Sequence, residues 1–265
     1  MKISFIGAGK MAEAIIAAAI DGGVFKRENV LACDVSAERR KYIAKKLGVA
    51  VTDDARAAVK AGRVVMLGVR PQDLNALLSD LKGAFTSNHL VLSICAGKTL
   101  KVLRKGVGRG ARLIRIMPNL ALRVRRGMVA YTSAKGVRPA DLKLVKKMFG
   151  CAGCALELPE KHFDAVTALS GSGPAFFAYT LKAMSDGGVK AGLPRDAAQL
   201  LASQTMLGTI EYLISSKADL DAFIAAVCSK GGTTEAGMKV LAASDASDVF
   251  AATLAAAAAR SAELA

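Results

Sequence analysis

The turn Gly7–Gly9 places flexible backbone at a point where a phosphate group could bind the chain. It follows the apolar stretch Ile3–Ile6 and precedes an alanine-rich stretch that has no helix breaker from Met11 until Gly22 and Gly23. The first glycine permits a sharp turn, and the second leaves the backbone open to a pyrophosphate. A helix beginning near Lys10 would attract that anion with its free N–H groups and positive dipole end. The spacing predicts a dinucleotide-binding turn, although such a turn also occurs without a ligand.

A second candidate contact is the acid that ends the next apolar stretch, Val30–Asp34. A carboxylate at this place can accept hydrogen bonds from both hydroxyls of an adenosine ribose, which favours NADH and repels a 2′-phosphate. Ser36, Arg39 and Arg40 follow, and a guanidinium there could still bind such a phosphate. The alternative is that Asp34 only caps the next helix. These residues leave both cofactors open.

Apolar stretches of strand length alternate with helical stretches through the first part of the chain. This alternation predicts an α/β fold, a Rossmann-type doubly wound and mostly parallel sheet, in which ligands bind at the carboxyl ends of the strands. The predicted strands are Ile3–Ile6, Val30–Asp34, residues 49–51, Arg63–Val69, His89–Cys95, Arg112–Met117, Met128–Thr132 and Ala155–Leu158. The turns expected at the ligand-binding edge are Gly7–Met11, Asp34–Ser36, Val69–Gln72, Cys95–Gly97 and Met117–Asn119.

The pattern of the sequence changes after about Glu160, where strand-like stretches end and helical patterns continue. We therefore expect a dinucleotide-binding domain over residues 1–160 and an all-helical domain for substrate binding and dimerisation over residues 161–265. Pro194 is expected in the first turn of a helix that continues to Leu213. The many small apolar residues of the helical part would allow close helix packing within or between subunits.

Two hydroxyl-rich stretches of the helical part, Ser170–Pro174 and Ser229–Thr234, are predicted as loops that lead into helices. Free N–H groups at a helix start bind anions, and serine or threonine hydroxyls add donors. A small carboxylate substrate would suit either loop. Simple helix capping is the alternative for both.

Composition limits the classes of function that the chain can have. The net charge is +15, but aromatic residues make up only 5% and basic residues are scattered, so a specific nucleic-acid site is not expected. No apolar run reaches the roughly 18–20 residues of a membrane span, and the N-terminus does not have the pattern of a signal peptide. The five cysteines favour a reducing, cytoplasmic location, and the two histidines lack metal-ligand spacing, so no metal site is predicted.

Further motifs lie outside the glycine turn. They are FIGAGKMAEAI from Phe5, LGVRPQD at Leu67–Asp73, SICAG at Ser93–Gly97, RIMPN at Arg115–Asn119, FDAVTALSGSGPAF at Phe163–Phe176, DGGVKAGLPRDAA at Asp186–Ala198, QTMLG at Gln204–Gly208 and GGTTEAG at Gly231–Gly237. Through these motifs, which cover nearly the whole chain, the sequence resembles the pyrroline-5-carboxylate reductase family.

The resemblance implies that a reduced nicotinamide, NADPH or NADH, delivers hydride to C5 of a cyclic imine and yields L-proline, the last step of proline biosynthesis. It implies substrate contacts at Glu160, Thr167, Ser170, Gly171, Ser172, Gly173, Ser229, Gly231, Gly232, Thr233 and Thr234. Thr234 is the expected catalytic residue, with its hydroxyl near the ring nitrogen. The resemblance and the glycine turn together predict cofactor contacts at Ile6, Gly7, Ala8, Gly9, Lys10, Met11, Asp34, Ser36, Val69, Arg70, Pro71, Cys95, Ala96, Gly97 and Asn119. The resemblance also implies a homo-oligomer, a dimer or an assembly of dimers, formed through the helical domain.

The chain departs from the family pattern at a few positions. Asp34-Val35 stands where the family usually has Asn-Arg, so the family habit favours NADPH while these residues favour NADH. Lys230 replaces a proline, and Leu120-Ala121 replaces Thr-Pro.

Two alternative functions are also compatible with a dinucleotide-binding domain followed by helices. A β-hydroxyacid dehydrogenase would need a catalytic lysine soon after Gly173, where the next lysine is Lys182. A dinucleotide-binding protein without catalysis would not need the Gly231–Thr234 motif.

Overall fold

The computed structural model describes residues 1–264, which form two compact units. The first, the sheet unit, comprises residues 1–172 and the chain from Ala256 onward; the second, the helical unit, comprises Gly173–Ala255. The predicted α/β fold class, with a mostly parallel sheet followed by helices, is confirmed. The domain boundary at residue 160 stays a prediction.

The sheet unit is built on one sheet whose described strands lie in the order β3-β2-β1-β4-β5-β6-β7-β8. The strands are β1 (Ile3–Ile6), β2 (Val30–Cys33), β3 (Ala50–Thr52), β4 (Val64–Leu67), β5 (Leu90–Ser93), β6 (Arg112–Pro118), β7 (Gly127–Ser133) and β8 (Gly153–Glu157). Strands β1 to β6 are parallel, in the order of a doubly wound dinucleotide-binding sheet. Strand β7 runs antiparallel to β6, and β8 is parallel to β7.

Helices cover both faces of this sheet, which explains why its central strands β1, β4 and β5 are buried throughout and mostly apolar. They are α1 (Lys10–Asp21), α2 (Ala37–Leu47), α3 (Ala55–Ala61), α4 (Leu74–Asp80), α5 (Leu100–Val107), α6 (Pro139–Gly150) and the short α7 (Phe163–Val166). Successive residues of β4 enter opposite cores because side chains alternate along a strand. Met66 packs in the core that includes residues of α1 and α6, and Leu67 packs in the core that includes Leu74 and Leu103.

The helical unit contains α8 (Gly173–Lys190), α9 (Arg195–Ser216), α10 (Leu220–Val227), α11 (Thr233–Ala242) and the first part of α12 (Ala246–Glu263). The sequence reasoning did not predict α10, and it placed Pro194 inside the helix, whereas Pro194 is the N-cap residue of α9. Large apolar side chains are exposed along these helices: Phe177, Tyr179, Met184, Leu200, Leu201, Leu207, Ile210, Tyr212, Ile214, Leu220, Ile224, Val227, Val240, Leu241, Val249 and Phe250.

Within residues 1–264, no single helix is long and apolar enough to span a bilayer. The helices α11 and α12, which are bent by 54° at their junction, reach the length and composition of a span only when taken together.

Candidate functional site

Gly7, in the turn after β1, cannot be replaced by a residue that has a side chain without straining the backbone. Its φ is +92°, in the left-handed region, and a Cβ there would lie 2.6 Å from the carbonyl carbon of Gly68. Its N–H donates to the Cys33 carbonyl at 2.8 Å, so the turn is fixed at the ends of three neighbouring strands. This close approach explains the first glycine of the motif.

Gly9 leaves the start of α1 open. It is the N-cap residue, no side chain caps the helix, and a Cβ built on it would have no atom within 4 Å. Helix α1 begins at Lys10. The N–H groups of its first residues, Lys10 and Met11, have no partner within the helix and point out of its end. An open helix start of this kind fits the pyrophosphate of a dinucleotide.

Asp34 lies beside this turn, just past the end of β2. Its Oδ2 accepts from the Ala8 N–H at 2.9 Å, and its Oδ1 accepts from the Ser36 N–H at 3.0 Å. The N-cap residue of α2 is Ser36 and not Asp34, because the Ser36 Oγ accepts from the Arg39 N–H at 3.2 Å. Asp34 is therefore held toward the glycine turn, where a ribose contact is predicted.

A cavity of about 250 Å³ lies at these strand ends. It is lined by Ile6, Gly7, Gly9, Cys33, Asp34, Val35, Asp53, Ala55, Gly68, Val69, Arg70, Asp73 and Leu77. It gathers predicted cofactor residues from three turns. A larger cavity of about 610 Å³ lies at the opposite, amino ends of β4 and β5, near Lys60 and His89, and no predicted site residue lines it.

Cys95 ties together two of the predicted cofactor turns. Its thiol is buried and donates to the Val69 carbonyl at 3.4 Å. Burial raises the pKa of the Cys95 thiol, so the group acts as a structural donor rather than a nucleophile. Gly97 has a φ of +72°, and the next residue, Lys98, donates from Nζ to the Leu264 carbonyl at 3.1 Å. The end of the described chain thus packs on this turn.

Glu160 takes part in a polar network on the sheet unit. Its Oε1 accepts from the Leu100 N–H at the start of α5 (2.6 Å) and from Nη1 of Arg115 (3.1 Å). The Arg115 side chain is only 6% exposed, and its guanidinium lies 4.6 Å from the centre of the Phe163 ring. The sequence reasoning missed this role of Arg115; the signal was a charge between the apolar residues Ile114 and Ile116 of the strand RLIRIM.

The predicted loop Ser170–Pro174 is not a loop. Thr167–Gly171 forms a π-helical turn after α7, and α8 begins at Gly173. The Ser172 N–H donates to the Thr167 carbonyl at 2.8 Å, five residues back, which is the π-helical spacing. The Ser170 Oγ is buried and has no hydrogen-bond partner among the described residues, which marks it as a group able to meet a ligand.

Asn119, the last predicted cofactor contact, lies at the end of β6. Its Oδ1 accepts from the Met128 N–H at 3.0 Å, so the side chain holds the start of β7.

The stretch Ser229–Thr234 forms the turn that precedes α11, as predicted. Gly231 has a φ of +72°, and Gly232 is the N-cap residue without a side-chain cap. The Gly231 N–H donates to Oε2 of Glu235 at 2.5 Å. This bond, with a further one from Lys239, holds the pKa of the Glu235 carboxyl below its usual value. Thr233 and Thr234 are the first two residues of α11, so their N–H groups have no partner within the helix.

The structure gathers the predicted cofactor residues, Glu160, and residues 167–172 within the sheet unit. Gly173 and the stretch Ser229–Thr234 belong to the helical unit.

Comparison with known proteins covers both units. The family model for pyrroline-5-carboxylate reductase dimerisation matches residues 160–264, and that for NADP oxidoreductase, coenzyme F420-dependent, matches residues 2–97. Pyrroline-5-carboxylate reductase from Methanosarcina acetivorans is 39% identical over 91% of this chain and 89% of its own length. The enzyme of that name from Pseudomonas aeruginosa is 36% identical over 100% of this chain and 97% of its own length.

Solved structures give the same result. A pyrroline-5-carboxylate reductase from Coxiella burnetii matches with a TM-score of 0.94 at 30% identity, covering 100% of this chain and 98% of that chain. The Plasmodium falciparum pyrroline carboxylate reductase with NADP bound matches with a TM-score of 0.88 at 27% identity, with the same coverage. The similarity therefore extends over both the glycine turn and the turn before α11.

Proposed function

The chain belongs to the pyrroline-5-carboxylate reductase family, an NAD(P)H-dependent oxidoreductase family, and we propose that it reduces 1-pyrroline-5-carboxylate to L-proline. The observation that carries this proposal is that 36–39% identity to two such reductases extends over 91–100% of the chain. The glycine cradle at Gly7 and the open start of α1 support it independently, because they fit a dinucleotide.

The sheet unit would hold the nicotinamide dinucleotide. Residues 6–11 would receive the pyrophosphate, and Asp34 with Ser36 would receive the adenosine ribose. The turns Val69–Pro71 and Cys95–Gly97, with Asn119, would flank the rest of the cofactor. When bound, the reduced nicotinamide supplies the hydride.

The helical unit would bind the substrate carboxylate at the start of α11. The N–H groups around Gly231–Thr234, with the Ser229 hydroxyl, would donate to the carboxylate, and the Gly231 N–H would exchange its bond to Glu235 for one to the substrate. The Thr234 hydroxyl would orient the ring nitrogen as the catalytic residue. A protonated imine is already a strong electrophile, so the reaction needs positioning more than a strong acid. This requirement fits a site in which hydroxyl and backbone N–H groups dominate.

Further substrate contacts are proposed on the sheet unit at Glu160, Thr167 and residues 170–172, with Gly173 beyond. The unpartnered Ser170 hydroxyl supports this, since a buried hydroxyl without a hydrogen bond gains one when a polar ligand arrives. Glu160 supports it less directly, because its Oε1 is already bonded to Leu100 and Arg115.

The test is the initial rate of imine-dependent oxidation of NADH and NADPH by the purified protein. Thr234→Ala should lower kcat by about 10- to 100-fold because the hydroxyl near the reacting nitrogen is lost. Thr234→Ser should restore most of the rate. Thr253→Ala is the matched control, since the Thr253 hydroxyl bonds within α12 to the Val249 carbonyl.

Cofactor binding in Thr234→Ala should stay as in the unaltered protein. An unchanged kcat in this variant would remove Thr234 from the mechanism. The absence of any imine reduction with either cofactor would reject the proposed reaction.

The match to the dimerisation model supports a homo-oligomer. We propose that the helical unit forms the interface as a dimer or an assembly of dimers, because its exposed apolar side chains would otherwise face water. Sedimentation of a fully active monomer would contradict this. We further propose a small imino-acid substrate, no nucleic-acid or membrane partner, and a cytoplasmic location. The free thiols of all the described cysteines support a reducing compartment.

A further inference from the structure

The Asp34 carboxylate is fixed before any cofactor arrives. Each of its oxygens accepts one backbone N–H, from Ala8 at 2.9 Å and from Ser36 at 3.0 Å. A carboxylate has about four acceptor positions, so two bonds leave room for two hydroxyl donors. Asp34 also lines the cavity beside the glycine turn. An ordered anionic acceptor is therefore presented where the adenosine ribose is proposed to bind.

Arg39, which could have received a phosphate, is engaged elsewhere. Its Nε donates to the Ala8 carbonyl at 2.5 Å, and its Nη2 forms an ion pair with Oε2 of Glu13 at 2.5 Å. Its guanidinium also lies 4.9 Å from the centre of the Tyr42 ring. Partial burial of Glu13 opposes the effect, but hydrogen bonds from Lys46 and Arg39 hold the pKa of that carboxyl below its usual value. Arg39 thus neutralises Glu13 on α1.

Arg40 is engaged as well. Its Nη1 donates to the carbonyls of Asp34 at 2.8 Å and Val35 at 3.0 Å, and its Nη2 pairs with Oδ2 of Asp53 at 3.1 Å. The guanidinium closes the turn after β2. A phosphate that used Arg40 would have to break these bonds or compete with Asp53.

The charges that line the cavity differ in sign from the chain as a whole. The protein carries a net charge of +15, whereas the ionisable carboxylates and bases of this lining are Asp34, Asp53 and Asp73 against Arg70. Arg70 is itself paired with Asp73 at 2.7 Å. Asp53 is likewise paired with Arg40, so among the described carboxylates of this lining it is Asp34, just past the end of β2, that is left without an ion pair to face an incoming ligand. Burial, and then the neighbouring Asp34, raises the pKa of Cys33 to about 11, which agrees with a negative field at this point.

We propose that the chain selects NADH over NADPH, with Asp34 as the residue that determines the selection. The fixed carboxylate accepts the two ribose hydroxyls of NADH. A 2′-phosphate would bring a further charge of about −1.5 to −2 beside Asp34, with both nearby arginines already paired. The inference rests on the proposed function only in placing the dinucleotide at the glycine turn.

The test is a fluorescence titration of the full-length protein with NADH and with NADPH, without any imine present. We expect NADH to bind about tenfold more tightly than NADPH, and the ratio to grow at low salt because repulsion is then less screened. Asp34→Asn combined with Val35→Arg removes the charge and adds a free guanidinium, so it should reduce or reverse the ratio. Asp80→Asn, an exposed aspartate at the end of α4, is the matched control.

Equal affinities, or tighter binding of NADPH by the unaltered protein, would overturn the inference. So would an unchanged ratio in the Asp34→Asn/Val35→Arg variant if its thermal unfolding shows that it is folded. Asp34→Asn alone, which keeps the shape and one acceptor oxygen, serves if the double variant does not fold. A preference for NADH in binding without any imine reduction would reject the proposed reaction and leave this inference standing.

Discussion

The sheet unit and the helical unit each have a glycine with positive φ ahead of a helix that is proposed to bind an anion. At Gly7, in the sheet unit, a Cβ would meet the backbone of the neighbouring strand end. At Gly231, in the helical unit, a Cβ would have no atom within 4 Å. Both turns require a positive φ, but only the first is also constrained by tertiary packing.

The ion pairs of the two units differ in the same way. Arg115 is almost completely buried where it pairs with Glu160 in the sheet unit. Asp186 of the helical unit pairs with Lys182 and Arg195, which are mostly exposed. The exposed pairs and apolar side chains of the helical unit support the proposed assembly through this unit, as does its match to a dimerisation model.

The largest effect should come from Gly7→Ala. The alanine would have to adopt a φ of +92° with its Cβ 2.6 Å from a carbonyl carbon, and we expect a loss of about 3 kcal/mol or more in stability together with loss of dinucleotide binding. Gly231→Ala should cost only about 1–2 kcal/mol, the price of a left-handed conformation without a clash. Urea denaturation of both variants measures the difference. Equal losses would remove the contrast between the two turns.

A smaller effect is expected from Glu160→Gln. Glutamine can still accept the Leu100 N–H, but it leaves the buried Arg115 without an opposite charge, so stability should fall by about 1–3 kcal/mol. Glu28→Gln, at an exposed glutamate, is the control. If stability falls while KM for the imine stays unchanged, Glu160 is a positioning residue for Arg115 and α5 and not a substrate contact. Stability equal to that of the control variant would contradict the network itself.

The parts of the fold that the sequence predicted are those that local patterns determine. Strands such as β5 are buried throughout and mostly apolar because helices cover both faces, and the Gly7 turn needs glycine for its own φ. The direction of β7 was not predictable, because a largely buried strand can pair in either sense.

The parts that were missed depend on distant partners. The pairing of Arg115 with Glu160 joins residues 45 positions apart, and Arg39 reaches Glu13 across 26 positions. The stretch Ser170–Pro174, which ends the π-helical turn and begins α8, was predicted as a loop because its serines and glycines are also typical of loops. Tertiary packing decides between these two outcomes.

The smallest effect should be the pH dependence contributed by Asp186, whose basic partners are exposed, whereas the basic partner of Glu160 is buried. Hydrogen bonds from Lys182 and then from Arg195 lower the pKa of this carboxyl from 3.8 to about 2. A lowered carboxyl pKa contributes stability that is present above the unfolded-state value and is lost as pH falls toward the folded-state value. The difference in urea midpoint between the unaltered protein and Asp186→Asn should therefore shrink between about pH 4 and pH 2, and also in high salt, because exposed pairs are screened. A difference that does not change with pH would mean that these pairs do not stabilise the helical unit. Of the two sets of ion pairs, only the pair of Glu160 with the buried Arg115 would then contribute to stability.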